Sequence, residues 1–291
     1  MMTPAIQALA SMDASGKVDI CMSSFWKDAR RPAYDDFFDK WDTIQEVINY
    51  PEQQLIKKYK RYFYTGHTEH SEALDIFVKK CPVQADAPDW TNKSIHEIFY
   101  YMNIVSKMGY KGKLFNQYVP LACAPILKNG NTIKIGLCNG TYSEKMKAPK
   151  QWPYFNELVS ALRNNYNCRI IKVGYKDELS DIKTDEDFVG KLSFTETAKV
   201  ISQLDLLIST DTALMHVGDA LQIPMVAIFG GSLISKNGAI NNTAENLVLG
   251  LSCQPCQRTY NFYNCSHYNC INNLTVGDVM SAVKRRLNDP Y

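Results

Sequence analysis

The sequence predicts an α/β protein of two domains, each built on a parallel sheet covered by helices. Three observations carry this reading. The chain has 291 residues, enough for two domains at roughly 100–200 residues each. Its second half alternates continuous apolar runs with amphipathic segments, and strands apolar on both faces belong in a parallel sheet buried between helix layers. Its composition, 45% hydrophobic and 21% charged, is that of a globular protein with a sizeable core.

The first half is the less legible. Thr3-Pro4 sets an N-cap and a helix-starting proline ahead of "AIQALASM". "VDICMS" (18–23) reads as a strand, and "DTIQEVINY" (42–50) as a second one. Charged and aromatic residues 52–63 predict a helix, as do 70–80 and 94–109, the last opening on Ser94 and stopping at Gly109. Residues 110–131 read as a loop, and the domain boundary is set at 130/131.

In the second half, "TIKIGLC" (132–138) is a buried strand followed by an "NGTY" turn. Residues 152–166 form an amphipathic helix with Phe155, Leu158, Val159 and Leu162 on one face. "CRIIKVG" (168–174) is a strand. A helix follows, opened by Ser193 with Glu196 three residues on, the pattern of a capping box. "LDLLIST" (204–210) and "PMVAIFGG" (224–231) are strands separated by the helix "TALMHVGDALQI", and residues 275–287 close the chain as a helix begun by Thr275.

A formal net charge of +2 gives no global electrostatic case for nucleic-acid or membrane binding. The basic clusters at 57–61, 145–150 and 284–286 read mostly as solvated faces. No run approaches the roughly eighteen apolar residues of a membrane span. The N-terminus lacks the basic and apolar regions of a secretory signal, which predicts a cytoplasmic location. The sequons at Asn139 and Asn273 are then accidental, and thiols stay reduced. Cys21, Cys81, Cys123, Cys138 and Cys168 read as small buried hydrophobes.

Open parallel sheets bind ligands beyond the carboxyl ends of their strands. One such end offers Asn139, Gly140 and Thr141, followed by Lys150. Another offers "STDTALMH", with Asp211, Thr212 and Ala213 at a helix start and His216 one turn in. A helix N-terminus presents unpaired N–H groups and a positive dipole end, which suits a diphosphate. The plainer alternative makes Asp211 an N-cap and His216 a satisfied core histidine.

From Thr132 to about Val283 these motifs, in this order, resemble glycosyltransferase family 9, the ADP-heptose:lipopolysaccharide heptosyltransferases. The matching pieces are "NGTY…KQWP", "STDTALMH", "PMVAIFGG" and "CQPC…C…CINNLTVGDVM". The first half matches more loosely. The resemblance implies the GT-B architecture, two Rossmann-like domains with a nucleotide-sugar in the cleft between them. Residues 1–130 would be an incomplete acceptor-side domain and 131–291 the donor domain. It implies inverting transfer of a sugar, a heptose, without a catalytic metal ion. Carried over, Asn139, Gly140 and Thr141 would line the donor phosphates, Lys150 would bind diphosphate or sugar, Asp211, Thr212 and Ala213 would contact the donor, and His216 would sit beside them. The donor would be ADP-heptose-like. The acceptor would be a glycan, a lipid-linked saccharide or a protein.

Three departures stand out. Ala213 replaces a glycine, Asp219 falls in a helix that is usually apolar, and the family's aspartate base belongs to a loop before the first residues of this sequence. The base is therefore expected upstream of Met1, and a chain made from Met1 is expected to lack transfer activity unless Asp28 or Asp35 serves. The rival to an enzyme is a catalytically degenerate nucleotide-sugar-binding protein.

Residues 253–270 carry Cys253, Cys256, Cys265 and Cys270 in a C-x2-C-x8-C-x4-C spacing. A CxxC turn faces two thiolates to one ion and the other pair can close a tetrahedron, so a structural zinc or iron is expected, with His267 as a competing ligand. The alternative is four free thiols.

Overall fold

The structure, a computed structural model, describes residues 1–22, 36–49, 95–127, 130–140, 149–175, 179–257 and 259–288. The helices expected at 52–63 and 70–80 lie outside these residues. The chain forms two compact units, Met1–Pro120 and Leu121–Tyr291. The expected boundary at 130/131 falls inside the second unit, because the irregular segment before it is tied down there. The Ala122 N–H donates to Thr195 O at 3.4 Å, the Leu127 N–H to Gln203 Oε1 at 2.9 Å, and Gln203 Nε2 to Pro125 O at 3.1 Å.

In the first unit, α1 (Thr3–Ser11) carries the expected early proline, but Met2 occupies the N-cap position and makes no side-chain cap. Thr3 is instead buried, and its Oγ1 accepts the Tyr118 N–H at 2.9 Å. Strands β1 (Val18–Met22) and β2 (Ile44–Asn49) pair in parallel, with a register shift after Val18. Helix α2 (Glu97–Lys107) is capped by His96, whose side chain accepts the Ile98 N–H at 3.3 Å. Ser94, the cap expected from the sequence, lies outside the described residues. Beyond α2, Gly109 takes φ +104°, a conformation that a Cβ would strain. Ala5 and Ala8 of α1 pack with Tyr101 and Val105 of α2, while Ile6 packs with Phe38 and Trp41 and against the strands.

The second unit is a six-stranded sheet in the order β5-β4-β3-β6-β7-β8, parallel throughout. Four strands match the apolar runs: β3 (Ile133–Cys138), β4 (Cys168–Lys172), β6 (Leu206–Thr210) and β7 (Met225–Ile228). Every residue of β6 and β7 is buried, as expected of strands covered on both faces. The outer strands β5 (Glu186–Asp187) and β8 (Ala244–Leu247) carry no such signal.

Helix α3 spans Phe155–Asn165, three residues later than its sequence pattern suggests. Trp152 lies before it, fully buried, with Nε1 donating to Leu274 O at 2.8 Å. The apolar face of α3 joins one core with Ile135, Ile170 and the closing helix α9 (Val276–Asn288). Helix α4 (Phe194–Ile201) has the full Ser193–Glu196 capping box. Between β6 and β7 runs α5 (Ala213–Ala220), and short helices α6 (Ile234–Asn237), α7 (Tyr260–Tyr263) and α8 (Asn269–Asn272) punctuate the loops after β7 and β8. A Cβ at Gly136 of β3 would come 2.3 Å from Leu204 Cδ1, so glycine here lets the α4–β6 turn close on the sheet.

Two sequence expectations change. Cys138 is buried and Cys168 half-buried, but Cys123 is exposed because it lies in an irregular surface segment rather than beside a strand. Cys81 and the Cys21 side chain lie outside the description. Asp219 is not a packing defect in α5. Buried to 2% exposure, its Oδ1 accepts the N–H groups of Ile240 and Asn241, both at 2.9 Å, and so fixes the loop before β8. Among the described residues no helix is long and apolar enough to cross a membrane.

Candidate functional site

The chain leaves β3 toward β4 and β5, and enters β6 on the other side of β3 to run toward β7 and β8. Loops leaving the carboxyl ends of β3 and β6 therefore diverge, which opens a crevice at this switch point. The two ends meet there. Cys138 Sγ, last in β3, lies 3.6 Å from Thr212 Oγ1, just past β6.

Lys150 reaches across this crevice. Its Nζ donates to Asp211 Oδ2 at 2.7 Å and to Asp211 O at 3.3 Å. The pair is largely withdrawn from water, with side chains 15% and 5% exposed. Burial alone would push the Asp211 carboxyl pKa up. The nearby cation of Lys150, then His216, then hydrogen bonding from Lys150 and Ser232 outweigh it and hold the group below the usual carboxylate range. The Ser232 hydroxyl, itself buried, faces this carboxylate without reaching good hydrogen-bond geometry.

Asp211 is thus not the helix cap. Thr212 caps α5, its Oγ1 accepting the Met215 N–H at 3.3 Å. With the cap supplied by its neighbour, Asp211 is available to hold the lysine. Ala213 is exposed at the first turn, and His216 is half-buried beneath it. The first-turn N–H groups of α5 lie outside its intrahelical ladder and point toward the crevice end.

Asn139 was expected to face a ligand. Its amide is instead engaged behind Lys150: Nδ2 donates to Trp152 O and Oδ1 accepts the Trp152 N–H, both at 2.9 Å. Gln151 Nε2 adds a bond to Asn139 O at 2.8 Å. Asn139 therefore clamps the Lys150–Trp152 segment, and the buried Trp152 ring anchors that clamp. The paired "N" and "W" in "NGTY…KQWP" are the signal that could have revealed it. Gly140 is buried beside this clamp, and Thr141 lies outside the described residues. A shallow depression lined by residues 163–168 sits at the amino end of β4, away from all of these groups.

The turn after β7 was noted in the sequence only as a strand end. A Cβ at Gly230 would lie 2.2 Å from Pro149 O, and one at Gly231 would lie 2.8 Å from Cys256 Sγ. Both glycines are needed for the backbone to pass between those groups.

In the cysteine loop, Cys253 is exposed, Cys256 and Cys265 are half-buried and Cys270 is buried, all as free thiols. The Cys270 pKa is pushed up to about 11, by burial first and then by Cys256, Cys253 and Cys265. Cys256 is raised by burial, then by Cys265 and Cys253. The four thiols are therefore near enough to feel one another's charge. Cys265 Sγ also accepts the Tyr268 N–H at 3.3 Å. Yet no group of three or more His, Cys, Asp or Glu among the described residues is arranged to hold an ion. Charge is felt over several ångströms and coordination is not, so the donor set suits a soft cation by chemistry and proximity, short of coordination geometry. His267 Nδ1 accepts the Asn269 N–H at 3.1 Å.

Comparison with known proteins bears on this site. The sequence model of glycosyltransferase family 9 (heptosyltransferase) matches residues 107–267. No curated protein matches the chain in sequence. Among solved structures, Escherichia coli ADP-heptose LPS heptosyltransferase II is similar at 15% identity and TM-score 0.68, over 99% of this chain and 95% of its own. Escherichia coli heptosyltransferase WaaC, solved with ADP, is similar at 14% identity and TM-score 0.58, over 98% and 97%. The iron-containing dodecameric glycosyltransferase TibC from enterotoxigenic Escherichia coli is similar at 12% identity and TM-score 0.59, over 99% and 73%. At such identities the likeness carries the fold, a GT-B architecture with parallel sheets.

Proposed function

This chain belongs to glycosyltransferase family 9, and from that premise we propose that it transfers a heptose from an ADP-heptose-like donor, with inversion at the anomeric carbon. The acceptor is a glycan, a lipid-linked saccharide or a protein, and the reaction takes place in the cytoplasm. The observation that carries the reading is the Lys150–Asp211 pair at the sheet's switch point, 2.7 Å apart beside the first turn of α5.

Displacement at an anomeric carbon builds negative charge on the departing diphosphate. Lys150 carries three N–H donors and gives two to Asp211, which leaves one for a donor oxygen. Asp211 fixes the direction of that third donor, and Asn139 fixes the backbone behind it. The first-turn N–H groups of α5, at Ala213 and its neighbour, add oriented dipoles. Gly140 lies on the phosphate side, and Thr212 and His216 complete the wall. Groups held this way need no reorganisation as charge appears on the leaving oxygen, which is how such sites lower a barrier. Asp28 and Asp35, the carboxylates that the sequence offers as a base, lie outside the described residues.

Cys253, Cys256, Cys265 and Cys270 hold a structural zinc or iron in this reading. Such an ion would fasten the loop and supply no chemistry to the transfer.

The test is an assay of donor consumption and sugar transfer over a panel of nucleotide sugars. The reading expects ADP release from an ADP-heptose-type donor. Binding without turnover of any donor would point to the degenerate nucleotide-sugar-binding protein, and absence of both would end the proposal.

A further inference from the structure

The cysteine loop and the Lys150–Asp211 pair are joined by one short turn, Gly230-Gly231-Ser232. On one side, the N–H groups of Cys256 and Gln257 both donate to Gly231 O, at 3.1 and 2.9 Å, and Gln254 Nε2 donates to Gly230 O at 2.7 Å. Gln257 Oε1 accepts the Leu233 N–H at 2.9 Å, so the loop grips the turn at both ends. The Gly231 backbone is pressed so closely on the loop that an added Cβ would meet Cys256 Sγ at 2.8 Å and the Phe262 ring at 3.0 Å. On the other side, the turn bears on the residue before Lys150. The Gly231 N–H points at Pro149 O at 3.4 Å, and a Cβ on Gly230 would strike that same oxygen at 2.2 Å. The next residue, Ser232, presents its buried hydroxyl toward Asp211. A displacement at Cys256 would therefore bear on Gly231, and through it on Pro149 and Ser232.

We propose that Cys256 is a positioning residue for the donor site: through its contact with Gly231 it sets the Gly230–Ser232 turn, and with it the placement of Lys150 and Asp211. The proposal rests on the reading of those two residues as the diphosphate site. It gives the cysteine loop a task beyond its own folding, because whatever engages the Cys256 thiol also shifts donor affinity.

The experiment measures ADP affinity by isothermal titration, and melting temperature, for the full chain and for Gly231→Ala, Cys256→Ala and the double variant. Gly231→Ala should weaken ADP at least about threefold, since its methyl would meet Cys256 Sγ and the Phe262 ring and push the turn away from the loop. Cys256→Ala should alter ADP affinity by a similar factor with the protein still folded. Removing the sulfur relieves the closest clash and leaves only the tight contact with the Phe262 ring, so the double variant should bind ADP more tightly than Gly231→Ala alone. A purely structural role for Cys256 would lower melting temperature and leave ADP affinity and this rescue untouched, which would overturn the proposal. If Gly231→Ala does not fold, Cys256→Ala decides alone: wild-type ADP affinity in that variant refutes the coupling. Failure of the unsubstituted protein to bind ADP is a different result, which removes the donor-site reading and this inference with it.

Discussion

Replacing Lys150 by Ala leaves the Asp211 carboxylate buried with its nearest cation gone. On sequence alone, such a substitution should weaken donor binding and leave the fold untouched, because a loop lysine rarely supports a core. The observed pair changes that expectation. Orphaning one partner of a buried pair costs about 3 kcal/mol or somewhat less, given that Lys150 keeps some access to water. Loss of its contact to phosphate should cost a further ~1.5–3 kcal/mol of ADP binding. Chemical denaturation and ADP thermal-shift titration separate the two effects, and Lys150→Arg should recover part of the first. The pair also predicts a pH dependence. The Asp211 pKa is depressed in the folded state, so its contribution is present above the ordinary carboxylate value of about 4 and is lost as pH falls below that toward the folded value. Asp211→Asn should therefore be less stable than the unsubstituted protein at pH 6, with the gap narrowing by pH 3. A gap that does not narrow would mean that the carboxylate charge is not what stabilises. At this scale the position of Lys150, Asp211 and Thr212 beyond strand ends was legible, and the structure brings Lys150 and Asp211 together there. Their division of labour was not. Nothing local distinguishes an Asp that caps from an Asp beside a Thr that caps, and Asn139 pairs with a residue thirteen positions on.

Among the elements, those with strong periodicity were read correctly. The strands β3, β4, β6 and β7 have apolar runs, and α4 and α9 have caps whose residue types announce them, Thr275 and Asp278 closing a reciprocal pair at the start of α9. The strands β5 and β8 escaped notice because "ED" and "AENL" at a sheet edge need few apolar side chains, and their pairing comes from backbone hydrogen bonds. Asp219→Leu tests a misread element directly. It keeps the branched shape but strips the Ile240 and Asn241 N–H groups of their acceptor, and should cost about 1.5–3 kcal/mol on denaturation, whereas an Asp that merely tolerated its site would be improved by the change. The cysteine loop is tested by metal analysis of the purified protein. Near one equivalent of zinc or iron is expected, and Cys270→Ser, which removes the buried ligand, should reduce it sharply. Less than about 0.2 equivalents of both metals in the unsubstituted protein would leave four free thiols as the better description.

Over the whole molecule, the sheet of residues 121–291 was readable from alternation alone, since a chain whose strands are apolar on both faces has few other ways to bury them. In the unit before it the two strands and the flanking helices were read from local pattern, while the two expected middle helices lie outside the described residues. The compact units divide at 120/121 rather than at 130/131, for Gln203 holds residues 125–127 to the second unit by bonds that no local pattern announces. The proposed donor site belongs to that second unit, and the proposal turns on Lys150 meeting a diphosphate. The most direct test compares ADP with AMP by isothermal titration, for the full chain and for Lys150→Ala. The account predicts that ADP binds at least about tenfold more tightly than AMP, as one charge-assisted phosphate contact of ~1.5–3 kcal/mol would give, and that Lys150→Ala abolishes most of that difference. Equal affinities for ADP and AMP, or an undiminished preference in Lys150→Ala, would contradict it.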